Sequence, residues 1–221
     1  MLPGPTLVYK CPKCNNLISK GSLRSGNTFG ATIYSDGKIY ASHNPEFPSI
    51  VKCSKCELIF WLNEKCYIGT EASPQETNTI KEYDGIEIEA SKFLTVDEYS
   101  EALNAGVFET VHEEIFIRLR IWWDFNHRKR NDLPFFDSET EKSLWFENIN
   151  RLLELFDTTD VHQRIYIAEL NRHLGNFETC MNIINGLDDD QQWRKYKIYF
   201  AEECNKGNTK VFIMHSQFPL R

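Results

Sequence analysis

Two near-identical pentapeptides decide how the first part of this chain folds: Lys-Cys-Pro-Lys-Cys at Lys10–Cys14 and Lys-Cys-Ser-Lys-Cys at Lys52–Cys56. Each contains a Cys-x-x-Cys turn, which presents two thiolates about a metal's width apart. Two such turns complete a tetrahedral ligand set and leave no position open for a substrate water. The sequence therefore predicts one structural zinc ion; an iron centre in the same ligands or four metal-free thiols are the alternatives. The predicted ligands are Cys11, Cys14, Cys53 and Cys56.

The 38 residues that separate the two cysteine pairs contain a β-hairpin signal. Within the stretch 29–40, Asp36-Gly37 stands between two β-prone runs. An Asp-Gly pair supplies the positive φ angles of a two-residue hairpin turn, so we predict such a turn here, exposed to water. The hairpin lets the chain fold back and return the second cysteine pair to the first. Asn15 follows the first pair where a left-handed residue is common, and Glu57 is a poorer fit at the same place after the second.

The arrangement resembles the zinc-ribbon class of metal-binding modules over roughly the first 65 residues. The resemblance implies a structural Zn(Cys)4 site on the four cysteines. Ribbons often bind nucleic acid, and basic residues with interleaved aromatic rings would supply phosphate contacts and base stacking. Lysines that offset the negative charge of a zinc tetrathiolate explain the same residues, and we prefer that interpretation. The basic and aromatic residues are Lys10, Lys13, Lys20, Arg24, Lys38, Lys52 and Lys55, with Phe29, Tyr34 and Tyr40.

Charge is unevenly distributed along the sequence. Residues 1–66 carry eight Lys/Arg against four Asp/Glu, whereas the remainder carries 17 against 28, which together give the net charge of −7. Such a split is typical of two modules with different surfaces. The acidic second part would repel a phosphate backbone.

The composition is that of an ordinary globular protein, with 41% hydrophobic and 26% charged residues. No stretch approaches the roughly 20 apolar residues of a membrane helix, and the N-terminus has no signal-peptide pattern. Seven cysteines, four of them in paired turns, indicate metal binding in a reducing cytoplasm rather than a disulfide framework. We interpret Cys66 as a buried or free thiol, and Cys180 and Cys204 as small hydrophobic residues on helices.

The order of these signals predicts an α+β protein with a small β-rich zinc ribbon followed by an all-α domain. We place the ribbon over residues 1–68, a polar linker over 69–91 and the helical domain over 92–221. Capping boxes predict helix starts at Thr95–Glu98 and Ser138–Glu141. Apolar spacing and glycine positions predict further elements, namely helices over about 109–126, 161–174, 177–185 and 191–204 and an extended segment over 210–214.

Residues 168–178 (Ala-Glu-Leu-Asn-Arg-His-Leu-Gly-Asn-Phe-Glu) join two of these helices by a tight turn. The stretch resembles the centre of a tetratricopeptide repeat, with Gly175 and Phe177 at the turn and Ala168 where the helices pack. Cys180 stands where the family has a small alanine, and no second copy follows at the family's repeat length. We therefore predict one repeat-like helical hairpin, with a generic helical bundle as the alternative. The resemblance implies a concave surface for a protein partner.

Signals for catalysis are weak. The segment His112–Phe116 begins like a zincin motif, but Phe116 replaces the second histidine. The segment Ser35–Lys38 matches a Ser-x-x-Lys pattern, but on an exposed turn its lysine would not be desolvated. The adjacent Trp122 and Trp123 point to different sides of a helix, so one is expected in the core and the other towards a partner or the ribbon.

These observations favour a non-catalytic, cytoplasmic interaction protein whose zinc module and helices bind another protein. The whole layout resembles bacterial proteins of uncharacterised function. The first alternative is a nucleic-acid-binding ribbon with a regulatory helical part, and the second is an enzyme with an unrecognised site. A protein-binding surface predicts an exposed apolar or aromatic patch. Nucleic-acid binding predicts salt-sensitive association that weakens when Arg24 and Lys38 are neutralised.

Overall fold

The computed structural model describes residues 1–70 and 88–214, so most of the predicted linker over 69–91 lies outside the described residues. Strands dominate the first part of the described chain and six helices the second, which fits the α+β class. The chain forms two compact units, Met1–Ala31 with Ala41–Val107 and Thr32–Tyr40 with Phe108–Arg221. The predicted domain limits remain predictions, but this division gives the first helix to the first unit and residues 32–40 to the second.

A four-stranded sheet forms the centre of the first unit. Its strands in spatial order are β10 (Glu89–Ala90), β3 (Leu17–Lys20), β2 (Leu7–Lys10) and β9 (Tyr67–Thr70). Strand β10 is parallel to β3, and the other neighbours are antiparallel. Two antiparallel pairs complete the unit, β1 (Leu2–Pro3) with β4 (Leu23–Ser25) and β7 (Ile50–Lys52) with β8 (Ile59–Trp61).

Each cysteine pair lies in the loop of a β-hairpin, the first between β2 and β3 and the second between β7 and β8. The strands supply a shared hydrophobic core around the buried Cys11 and Cys53; its other buried members are Tyr9, Ile18, Val51, Phe60 and Leu62. Packing of the two hairpins against this core positions both cysteine loops at one place.

Helix α1 (Val96–Asn104) completes the first unit and begins where the sequence predicts. Thr95 accepts the Glu98 amide N–H, and the Glu98 carboxylate accepts the Thr95 amide N–H, which is the predicted capping box. Gly106 adopts φ 65° just after the helix, a conformation that favours glycine. The indole of Trp61 on β8 donates to the Val107 carbonyl oxygen at 2.8 Å, which fixes the end of this segment.

The second unit contains five helices within the described residues: α2 (Val111–Arg130), α3 (Glu139–Leu155), α4 (Val161–His173), α5 (Phe177–Asn185) and α6 (Gln191–Asn205). The predicted bounds are close, except that α2 continues four residues beyond 126. Its last turn is entirely basic, which favours helix at a C-terminus. Ser138 caps α3 through the Glu141 amide, but the Glu141 carboxylate binds Arg128 instead of completing the predicted capping box.

The connection between α4 and α5 is the tight turn that the sequence predicts. Gly175 adopts φ 80°, and Ala168 and Cys180 are both fully buried at the contact between the helices. The core of this part also contains Ile165, Ile184, Trp193 and Phe200. Among the helices of the described segments, none combines the length and apolar character that a bilayer crossing requires.

The predicted β-hairpin exists, but it belongs to the second unit. Strands β5 (Thr32–Tyr34) and β6 (Ile39–Tyr40) pair antiparallel, and β11 (Ile213–Met214) pairs with β5 on its other side. The prediction of a two-residue turn is wrong, because the Tyr34 amide donates to the Lys38 carbonyl and leaves three residues in the loop. Gly37 supplies the single positive φ, 75°, that such a loop needs.

Candidate metal centre

The two cysteine loops have the same backbone geometry. In the first, the Cys11 amide donates to the Asn16 carbonyl at 2.8 Å and the Asn15 amide donates to the Cys11 carbonyl at 3.0 Å. In the second loop, the Cys53 amide donates to the Leu58 carbonyl at 2.9 Å and the Glu57 amide donates to the Cys53 carbonyl at 2.8 Å. Asn15 and Glu57 have φ angles of 63° and 61°. The left-handed position is thus confirmed at both sites, including the one where glutamate is a poor fit.

These loops bring the four predicted ligands together. The sulfur atoms of Cys11, Cys14, Cys53 and Cys56 all lie within 4.8 Å of one another. The pairs Cys11–Cys56 and Cys14–Cys53 have Sγ–Sγ distances of 3.6 and 3.5 Å. Four thiolates at the usual Zn–S distance in a tetrahedron lie about 3.8 Å apart. The group can therefore hold a metal ion without rearrangement of its loops.

Burial and backbone amides act in opposite directions on these thiols. Burial raises the pKa of Cys11 to about 12, although the amides of Cys14 and Lys13 oppose it. Burial also disfavours the Cys53 thiolate, but the Lys55 and Cys56 amides outweigh it and lower the pKa of this thiol to about 7. N–H groups directed at sulfur favour the thiolate, which is the form that binds a metal.

The lysines beside the cysteine pairs were predicted to compensate an anionic metal site. Lys52 instead has carboxylate partners on α1, with its Nζ 2.9 Å from Glu101 and 4.0 Å from Glu98. This lysine therefore ties the strand before the second cysteine pair to helix α1. Part of its charge is already compensated by glutamate.

The remaining cysteines lie outside the four-sulfur group. Cys66 is half-buried and packs against the core around the group without belonging to it. Cys180 on α5 and Cys204 on α6 are buried with their sulfur atoms 3.7 Å apart. Burial raises the pKa of both thiols, so they are protonated and pack as small hydrophobic side chains.

The two weak catalytic patterns have other structural roles. His112 is exposed on the first turn of α2, and the neighbouring Glu114 carboxylate binds Arg118 and Arg151. The prediction that the Ser35 turn is exposed is wrong, since Ser35 retains 3% exposure and Asp36 none. Ser35 Oγ donates to Glu169 Oε1 at 2.5 Å, which occupies the hydroxyl in a structural bond.

A buried polar cluster, which no local sequence pattern indicates, surrounds this hairpin loop. Asp36 forms an ion pair with Arg130 and accepts from the Asn126 amide at 2.8 Å. Burial raises the pKa of Asp36, while Arg130 and Asn126 oppose that increase. Trp123 Nε1 donates to the Asp36 carbonyl oxygen at 2.9 Å. The half-buried tryptophan thus contacts the hairpin, while Trp122 lies in the core as expected.

The same cluster continues to α4 through Glu169. The buried Glu169 carboxylate binds the Arg172 guanidinium through two N–H groups, at 2.6 and 2.7 Å. His173 Nε2 lies 2.9 Å from Glu169 Oε1, and His173 Nδ1 accepts from Trp122 Nε1 at 3.1 Å. Burial lowers the pKa of His173, so the neutral ring carries its proton on Nε2. Hairpin and helices are therefore joined by a charged, hydrogen-bonded core.

The residues considered for nucleic-acid binding are divided between the two units. Arg24, Phe29 and the lysines beside the cysteine pairs belong to the first unit, whereas Tyr34, Lys38 and Tyr40 belong to the second. In the second unit the Lys38 ammonium lies 4.7 Å from the Trp123 ring centre. The Arg130 guanidinium lies 4.2 Å from the Tyr34 ring centre.

Comparisons of this chain with protein-family models, with curated proteins and with solved structures give no match.

Proposed function

We propose that the four cysteines bind one zinc ion, and that the ion is structural. The observation that carries this proposal is the group of four sulfur atoms within 4.8 Å of one another. An all-thiolate set is typical of structural zinc and fills every tetrahedral position. Such an ion contributes on the order of 10 kcal/mol to folding in small zinc modules. In a unit of short strands, the ion is the main source of stability beside the hydrophobic core.

We further propose that the protein is a non-catalytic adaptor and that its helical unit binds another protein. A partly exposed aromatic group at the connection between α2 and α3 supports this role. Leu133 and Phe146 are 54% and 43% exposed, and Phe135 and Phe136 pack edge-on against Trp145 beside them. Partly exposed apolar groups of this kind are typical of binding surfaces. Thiolate ligands need a reducing compartment, which favours the cytoplasm.

Elemental analysis of the purified protein tests the metal directly. We expect one zinc per chain in the wild type. Cys53→Ser should lose both the zinc and the protection of the first unit from hydrogen exchange. Cys66→Ser is the matched control, because this thiol packs beside the group without belonging to it. Cobalt substitution adds a spectroscopic test, since tetrahedral sulfur ligation gives intense ligand-field and charge-transfer bands. Iron in place of zinc, or full metal retention in Cys53→Ser, would contradict the proposal.

The binding surface is tested by charge insertion. A protein partner that binds the wild type should lose affinity for Phe146→Glu, because the charge disrupts an aromatic contact surface. Ile198→Glu is the control, since Ile198 is also exposed, at 56%, but lies on α6. Equal binding by all three proteins would argue against the α2–α3 connection as the surface.

A further inference from the structure

The carboxylate of Glu89 joins the two cysteine loops through a single oxygen atom. Its Oε2 accepts the side-chain amide of Asn16 at 2.7 Å and the hydroxyl of Ser54 at 2.6 Å. Asn16 closes the first loop, since its carbonyl oxygen accepts the Cys11 amide. Ser54 lies inside the second Cys-x-x-Cys turn, directly after Cys53. One carboxylate therefore fixes the separation of two loops that are distant in sequence.

The backbone holds this carboxylate in place. Glu89 lies on β10, which pairs in parallel with β3, the strand that follows the first cysteine loop. The Ser91 amide donates to the Ser19 carbonyl at 2.8 Å, and the Ser19 hydroxyl donates to the Glu89 carbonyl at 3.3 Å. Asn16 is buried, so its amide depends on Glu89 for an acceptor that water does not replace.

The segment that follows Glu89 makes two more contacts with the second cysteine hairpin. Glu101 on α1 binds Lys52 on β7 at 2.9 Å, and the Val107 carbonyl accepts the Trp61 indole on β8 at 2.8 Å. Residues 88–107 thus contact the first loop through β10 and the second through both Glu89 and α1. We call these residues the strap.

The Glu89 carboxylate lies close to the cysteine loops because it binds neutral hydrogen-bond donors there. Glu89 contacts an amide and a hydroxyl, both neutral donors, and it lies outside the four-sulfur group. Hydrogen bonds to an ionised acceptor are about twice as strong as neutral ones. The negative charge of Glu89 therefore strengthens the hydrogen bonds that position the two loops. This stabilisation opposes the repulsion between the carboxylate and the thiolates.

We propose that Glu89 is a positioning residue for the metal centre, and that it couples metal retention to docking of the strap. This inference rests on the proposed zinc site. Because Glu89 is bound to both loops only when they lie side by side, the carboxylate favours the arrangement in which four sulfurs converge. Coupling between two sites is reciprocal, so the bound metal also stabilises the strap. Loss of an outer residue that orients metal ligands typically reduces affinity about 10- to 100-fold.

The experiment measures zinc release from the full chain to an excess of a chromophoric chelator. We expect Glu89→Ala to release zinc at least about tenfold faster than the wild type, and Glu89→Gln to be intermediate, because a neutral carbonyl still accepts both bonds. Glu64→Ala is the matched control, since it removes the same side chain from an exposed position of the first unit outside the strap. Hydrogen exchange at the Ser91 amide should rise in Glu89→Ala and remain unchanged in Glu64→Ala.

A double-mutant cycle separates positioning from a general loss of stability. If Glu89 acts through Ser54, then Ser54→Ala combined with Glu89→Ala should accelerate release by much less than the product of the single effects. Release from Glu89→Ala within twofold of the wild type, or fully multiplicative effects in the cycle, would overturn the inference while the zinc site stands. Absence of zinc from the wild type would instead remove the proposed function, and metal content alone identifies that case.

Discussion

Replacement of Glu169 by glutamine tests how much the buried polar cluster contributes to stability. The Glu169 and Arg172 side chains are both fully buried and joined by two hydrogen bonds, and Ser35 from the hairpin donates to the same carboxylate. Arg172 also donates to the backbone carbonyls of Asn208 and Lys210. Glu169→Gln preserves shape but leaves the guanidinium buried without a countercharge. Those two carbonyls compensate only part of this loss.

Two arguments give the same magnitude. Removal of one partner from a buried ion pair costs about 3–5 kcal/mol, because the remaining charge is buried and uncompensated. Burial alone would disfavour ionisation of Glu169, but His173 and Arg172 lower its pKa from an ordinary 4.5 to about 2. Because His173 is neutral at pH 7, only the Arg172 attraction and the hydrogen bonds contribute there, which still gives a stabilisation of a few kcal/mol. We therefore expect Glu169→Gln to reduce the free energy of unfolding by about 3 kcal/mol.

Urea unfolding, monitored by tryptophan fluorescence, measures this loss. With a urea slope of about 2 kcal/mol per molar, the midpoint should fall by about 1.5 M. Trp122 is a suitable probe, since its ring lies 5.5 Å from His173 inside the cluster. Glu178→Gln removes the same charge from the exposed surface of α5 and should change stability by less than about 0.5 kcal/mol. If Glu169→Gln reduced the free energy of unfolding no more than this control does, the cluster would not stabilise the unit as argued.

Three further predictions concern pH, the hairpin loop and a helix cap. The free energy of unfolding should fall as pH drops below about 6.5, because burial lowers the pKa of His173 in the folded protein. Below that pH the unfolded chain binds a proton on this histidine that the folded chain does not. Urea midpoints measured across this pH range should show the decrease, and His173→Gln should weaken it. Gly37→Ala should cost more than about 2 kcal/mol in thermal unfolding, since its Cβ would lie 2.5 Å from Tyr166 at a positive φ. Gly30→Ala is its control, with a similar φ and open space, and an equal cost in both would refute the steric argument. Thr95→Ala should cost about 1 kcal/mol by removal of the α1 cap, whereas an unchanged unfolding free energy would contradict that role.

Local signals in the sequence were sufficient for most helices and for the two cysteine loops whose sulfur atoms converge. The capping box at Thr95, the glycine at 175 and the two cysteine turns each depend on residues within four positions of one another. Their conformations are decided by short-range hydrogen bonds and by the φ angles that glycine and asparagine accept. For this reason the start of α1 and the bounds of α4 and α5 are predicted to within one residue.

The remainder depends on contacts between distant residues. Ser35 and Glu169 are 134 positions apart, and nothing near Asp36-Gly37 distinguishes a buried loop from an exposed turn. An isolated Asp-Gly pair indicates a solvent-exposed turn, because a buried aspartate needs a specific partner. Here that partner is Arg130, which lies on α2. Glu89 likewise meets Asn16 only through parallel pairing of β10 with β3, a register that two-residue strands do not encode.

The three-dimensional grouping also changes how the charge of the protein is interpreted. Counted along the sequence, the part up to residue 66 is basic and the remainder strongly acidic. Counted over the compact units, the first holds nine Lys/Arg and 12 Asp/Glu, and the second 16 and 20, which gives −3 and −4. A zinc tetrathiolate would make the first unit more negative still. Because neither unit is then a net cation, the long-range attraction that nucleic-acid binders use is weak, which agrees with the proposal of a protein partner rather than nucleic acid.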